Sequence, residues 1–362
     1  MSLARLLSPA AEGAASVQSR MAQRAALALL ALVLWGGFAF FHAKVKPADF
    51  YVFWAAARHW QAPYDPAVIA QLQASLHIDG AWPFVYPPTF LLVAWPFGLA
   101  PAPAAYAVWT GLSAALFTFA AAGVVRPPWA AAALFIVPPV VLAVSPGQTS
   151  LLVGAAMAGG FEVLRSRPRL AGLLFAVAAV IKPQAMILAP IVLWGETLTL
   201  TWAAIGGLGL IAASFVFGPG RWVEWLGALR DFQAVIPATD RINPSALLPG
   251  WAGTAALALL GVWIAWRSRN LLGLVAGALC LTPYAHQYDL APLAPPALAW
   301  LIDWRRSGWA RAAVGGALLA GLVATPVAGL AFVAAAAALP RPRPPAPEAS
   351  GSGIPALQRA PA

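Results

Sequence analysis

From Gly80 to Val125 no side chain carries a charge. A domain bathed in water cannot leave so long a run without charges on its outer face. The run therefore belongs in hydrocarbon or packed against other apolar segments. The whole chain of 362 residues continues the pattern, with 61% hydrophobic and 9% charged residues. A soluble domain carries about 25% charged residues. A water-soluble enzyme is excluded, and the apolar content excludes disorder for the bulk of the chain. The apolar runs exceed the length of a barrel strand, so the chain reads as an all-α, polytopic membrane helical bundle. Seventeen Trp suit aromatic belts at the two interfaces. A single cysteine, Cys280, excludes an internal disulfide and a cysteine metal site.

The net charge of +10 does not mark a nucleic-acid binder, because the basic residues form short clusters between apolar runs. Residues 1–24 are polar and basic, and an apolar run from Ala25 to Phe41 follows with no small-residue cleavage site after it. This reads as an uncleaved first helix with a cytoplasmic N-terminus. Further spans are expected at 104–125, 128–144, 149–164, 170–194, 198–218, 247–266, 271–285, 289–303 and 312–339. The stretch DFYVFWAAARHW suits a short helix on the membrane surface. The basic clusters at the N-terminus, 165–169, 267–269, 305–311 and 341–343 all face the cytoplasm under two conditions. Residues 84–100 must re-enter the outer face, and 170–194 must break at Lys182-Pro183. Proline argues for an interruption at both places. The outcome is about twelve crossings with both termini inside. The membrane domain is 25–339, with outer loops 43–83 and 219–245, and the Pro-rich tail 340–362 reads as disordered.

That topology gathers Lys44, Lys46, Lys182 and all four histidines on the outer side, together with most of the acids. Lipid orientation does not require acids and histidines to gather there, whereas an outward-facing polar site does. Asp49 follows the first helix, where a carboxylate can accept a proton from a hydroxyl. Lys182 lies in an otherwise uncharged run. A charge there costs about 2.5–3.5 kcal/mol on insertion scales and calls for an anionic partner or a wet cavity. His286, Gln287, Tyr288 and Asp289 form one polar row in TPYAHQYDL, and Gln148 sits in SPGQTS. The 219–245 loop adds mixed charges, including Arg241. The spacing of His59, Asp65, His77 and Asp79 matches no metal-ligand motif, and no phosphate-binding glycine motif occurs. A substrate already in the membrane is therefore expected.

The order ADFYVFWAAARHW…PYDP, FVYPPTFLLVAWPFGLAP, SPGQTSLLVG, RPRLAGLLFAVAAVIKPQAMILAP and AHQYDLAPLAPPAL resembles glycosyltransferase family 87 over roughly residues 25 to 305. The resemblance implies a GT-C architecture with an outer-face active site and a polyprenyl-phosphate-linked sugar donor, often mannose. It implies Asp49 as general base and Lys182 near the donor phosphate, and it puts the family's late histidine on His286 and its glutamine on Gln148. The growing charge on the leaving phosphate needs cations, for which Lys182 and His286 are the candidates, followed by Arg58 and Arg241. Gln148, Tyr86, Gln287 and Tyr288 are the candidates for binding substrate. No cofactor or metal enters the implied reaction. The partners would be the lipid-linked donor, a glycolipid or glycan acceptor and the bilayer, with no nucleic acid. The Ala-, Arg- and Pro-rich composition fits a bacterium of GC-rich genome, and so its inner (plasma) membrane. A transporter or lipid flippase would also place polar groups among broken helices. However, no repeat of the 43–83 loop or of the Lys182-Pro183 break is found. A non-catalytic envelope scaffold would tolerate replacement of Asp49 and Lys182.

Overall fold

The computed structural model describes residues 8–42, 48–76, 82–235, 250–282 and 285–302, with 315, 316 and 319. His77, Asp79, Arg241, the tail 340–362 and almost all of the expected last span 312–339 lie outside the described residues. Among the described residues the chain is all-helical, with no strand.

Helix α1 (Ser8–His42) packs along α5 (Ala102–Val124). The contact is close because both helices are small there: a methyl group on Gly111 would come within 2.9 Å of the Leu32 carbonyl and 3.2 Å of Gly36 Cα. Val17–His42, Ala102–Val124 and Thr197–Phe217 are long and apolar enough to cross a membrane. The last of these comprises α11 (Thr197–Ser214) and a 3-10 turn (Phe215–Phe217). Helices α7 (Ser150–Val163) and α8 (Pro168–Ile181) are apolar but shorter, and they pack on each other. Fourteen residues at 1.5 Å each reach about 21 Å, short of the roughly 30 Å hydrocarbon core. The remaining helices after α11 are α12 (Arg221–Val235), α13 (Gly250–Ser268), α14 (Leu271–Leu281) and α15 (Ala294–Ile302).

The interruption expected at Lys182-Pro183 is present. Helix α8 stops at Ile181, Lys182 takes a non-helical conformation (φ −141°, ψ 79°), and two single turns follow, α9 (Pro183–Met186) and α10 (Ala189–Val192). Proline supplies no N–H to continue the ladder. The single span expected over 128–144 is instead a 3-10 stretch, Pro128–Ile136, followed by α6 (Pro138–Val144). Pro138 and Pro139 start a new helix there.

The surface helix expected after the first span is also corrected. Helix α2 (Ala48–Arg58) is buried from Phe50 to Ala57, with Phe50 1% exposed and Ala55 and Ala56 fully enclosed. Every residue in that run is apolar, so the helix has no wet face and must be packed all round. It lies against α3 (Pro66–Ser75), α4 (Pro88–Gly98) and α5. Asp65 caps α3, accepting from the Ala67 and Val68 amides.

Candidate active site

Five helix ends meet at one place. The first is the start of α2, which carries Asp49. Its Phe50 amide donates to the Pro146 carbonyl (2.9 Å), seating α2 on the 145–150 loop. That loop is held from below. The Tyr106 hydroxyl donates to the Ser145 carbonyl, and the Trp109 indole donates to the Gly147 carbonyl at 2.7 Å. Gly147 has φ +72°, and a methyl group on it would lie 2.7 Å from Phe50 Cβ. Only glycine fits there.

The second is the extended YPP segment before α4. Pro87 and Pro88 start that helix, and the Thr89 hydroxyl donates to the Val180 carbonyl (2.6 Å), tying α4 to the end of α8. Tyr86 is thereby aimed at the loop: its hydroxyl donates to Gln148 Oε1 (3.1 Å) and lies 3.0 Å from the Thr149 hydroxyl. With its oxygen so occupied, the Gln148 amide hydrogen-bonds the Asp49 carboxylate through its N–H side. Tyr86, Gln148 and Asp49 form one oriented chain.

The third and fourth are the start of α7 at Ser150 and the α8–α9 break at Lys182. The fifth is a 3-10 turn, Gln287–Leu293, for which His286 is the N-cap. The His286 side chain accepts from the Asp289 amide, and the Asp289 carboxylate accepts from the His286 amide at 3.0 Å. A ring nitrogen that accepts carries no proton, so the other nitrogen is the donor in this arrangement. The ammonium of Lys182, 7% exposed as a residue, bonds Asp289 Oδ1 directly. It also lies 5.2 Å from the centre of the Tyr288 ring, which is 5.0 Å from the His286 ring. Gln287 opens the same turn.

Asp49 is within electrostatic reach of Lys182 and Asp289. Burial pushes its carboxyl from 3.8 up to about 6, against the pull of the Gln148 hydrogen bond and of Lys182, with Asp289 adding to the rise. An open pocket adjoins this cluster, with Ser150, Lys182 and Asp289 on its wall beside the apolar Val153, Met157 and Leu279. A cation and hydroxyl donors thus share a pocket with apolar walls, with a base in electrostatic reach of the cation, which suits an amphiphilic substrate.

Of the candidate site residues, Asp49, Tyr86, Gln148, Lys182, His286, Gln287 and Tyr288 fall on these five segments. Arg58 does not. It occupies the other end of α2, donating to the Gly98 carbonyl (3.1 Å) and lying over the Trp54 ring. Nine residues of helix, about 13 Å, separate it from Asp49. The sequence puts Asp289 in the polar row but assigns it no role, and it does not single out Ser150. The signal for Asp289 was in hand, since an apolar run holding one lysine calls for an acid.

A family model for glycosyltransferase family 87 matches residues 84–291. The chain belongs to this family. The match takes in Tyr86, the 145–150 loop, Lys182 and the His286–Asp289 turn, and it begins after Asp49 and α2. No curated protein and no solved structure matches the chain. The protein is a membrane glycosyltransferase with a sugar donor and an acceptor.

Proposed function

We propose that this glycosyltransferase moves a hexose, mannose in our reading, from a polyprenyl-phosphate-sugar donor to a glycolipid or glycan acceptor of the bacterial envelope. The observation that carries the reading is that Asp49 lies within electrostatic reach of Lys182, 133 positions away in sequence, and that Lys182 lines a pocket with apolar walls. The acceptor oxygen bonds to C1 of the donor sugar as the bond from C1 to the phosphate oxygen breaks. Asp49 takes the acceptor proton, and its raised basicity matches work near neutral pH. The negative charge lost at Asp49 reappears on the leaving lipid phosphate. Lys182 and His286 receive it, and the N-terminus of α7 adds favourable dipole. One displacement inverts C1, so a β-linked donor gives an α-linked product. In this reading Tyr86, Gln148, Gln287 and Tyr288 bind the sugars.

We read the helices as part of a GT-C bundle of about twelve crossings, with both termini cytoplasmic and the cleft outside. Its support is that side-chain links do not cross sides. Arg24 with Glu162 and Arg269 with the Trp194 carbonyl join residues assigned to the cytoplasm. Lys182 with Asp289, Arg58 with the Gly98 carbonyl and Trp225 with the Val85 carbonyl join residues assigned outside.

The test uses the purified protein in nanodiscs with radiolabelled polyprenyl-phosphate-mannose and an envelope lipid extract, and with UDP- and GDP-sugars as controls. Transfer is expected from the lipid-linked donor only. Asp49→Asn is expected to lower it by at least a thousandfold with the fold intact. Retained activity in that variant removes Asp49 from the role of base.

A further inference from the structure

We propose that Asp289 is a positioning residue for the donor phosphate site, presenting Lys182 at the pocket wall while fixing the His286 turn through its second oxygen. The inference rests on the reading of Lys182 and His286 as phosphate ligands. Asp289 Oδ1 accepts from the Lys182 ammonium and from the Ser150 hydroxyl (3.3 Å), and Oδ2 accepts from the His286 amide (3.0 Å). One carboxylate thus ties its own 3-10 turn to the α8–α9 break and the start of α7, 107 and 139 residues from it in sequence. The side chains of Lys182 and Asp289 are only 9% and 14% exposed, and both line the pocket with Ser150.

A lysine ammonium has three N–H donors. Asp289 uses one of them, so the charge is held in place with capacity for a phosphate oxygen. Without the acid, an ammonium among Val153, Met157 and Leu279 has no counter-charge at the wall. Its long stem then lets it swing toward water. Asp289 does not touch the reacting atoms in this scheme; it acts through Lys182.

Asparagine separates the two functions of the carboxylate. Its amide oxygen still accepts from the His286 amide, while its N–H2 faces Lys182 and cannot hold it. Initial rates would be measured in nanodiscs with polyprenyl-phosphate-mannose, varying donor and acceptor separately. Lys182→Met and Asp289→Asn are each expected to raise the donor KM at least tenfold and to leave the acceptor KM within twofold. The double variant is expected to be no worse than Lys182→Met alone, because the acid works through the lysine. Asp289→Glu keeps the charge and is expected to stay within threefold of wild type. That variant also carries the test if Asp289→Asn fails to fold: a folded Asp289→Glu protein with a tenfold higher donor KM overturns the proposal. So does a folded Asp289→Asn protein with wild-type donor KM, or full additivity in the double variant. If Lys182→Met itself leaves the donor KM unchanged, the phosphate-ligand reading fails and takes this inference with it. If only Asp289→Asn is silent, the inference fails alone.

Discussion

Asp49 shows how burial tunes a single group. Its carboxyl titrates near 6 because desolvation outweighs the Gln148 hydrogen bond and the Lys182 charge. A general base works only when deprotonated. The rate is therefore expected to fall as pH drops through about 6, two units above the range of an ordinary aspartate. A pH profile of kcat/KM checks this, and an acid limb near 4 would contradict it. The same shift has a sign for stability. A folded-state value raised above the unfolded one means that protonation favours the fold, and this contribution is lost as pH rises through about 6. Charged Asp49 thus costs the fold roughly 3 kcal/mol at most at pH 7, at 1.36 kcal/mol per unit. Asp49→Asn is expected to melt at or above the wild-type temperature at pH 7, an advantage that shrinks at pH 5. A variant that melts well below wild type would mean that the carboxylate supports the structure.

Among the elements, α2 and the 145–150 loop decide where that base stands. The loop is a helix-to-helix turn between α6 and α7, and α2 rests on it through the Phe50 amide, while the Phe50 ring packs on Tyr106 and Trp109 of α5. Gly147 permits the contact by its positive φ and missing side chain. Gly147→Ala places a methyl group 2.7 Å from Phe50 Cβ in a left-handed backbone. The left-handed residue and the overpacking together cost about 2 kcal/mol or more. Relief comes by lifting α2 and withdrawing Asp49 from Gln148. Thermal unfolding is expected to show the loss, and kcat is expected to fall at least tenfold with donor KM little changed. The proline-marked interruption after Lys182 was legible in advance because the missing N–H is a local fact. The burial of α2 was not, since an apolar segment of 11 residues looks alike at a membrane surface and in a core.

For the whole molecule, the arrangement makes the two ends of the bundle different. One end holds the Arg24–Glu162 pair, which links α1 to α7, with the Arg24 guanidinium also over the Phe119 ring. The other holds Asp49, Lys182, His286 and Asp289. In the proposed orientation Ser166 faces the cytoplasm and Gln61 the exterior, and both are exposed. Cys280, the one native cysteine, is buried. Ser166→Cys and Gln61→Cys are therefore expected to react with a membrane-impermeant maleimide from opposite sides, Gln61→Cys in intact cells and Ser166→Cys only after lysis. The reverse pattern would turn the active site inward.

The sequence alone determined the helical membrane class, because the uncharged run from Gly80 to Val125 has no other stable environment. It also determined the family motifs and the need of Lys182 for a counter-charge. Which acid supplies that charge was decided only in three dimensions. Asp289 is 107 residues away, and the chain carries eleven other acids (12 − 1) that composition ranks equally. The same holds for the Tyr86–Gln148–Asp49 chain and for the separation of Arg58 from it. Local sequence sets where a helix starts and stops. Tertiary packing sets which ends meet, and in this fold the site is made entirely of ends.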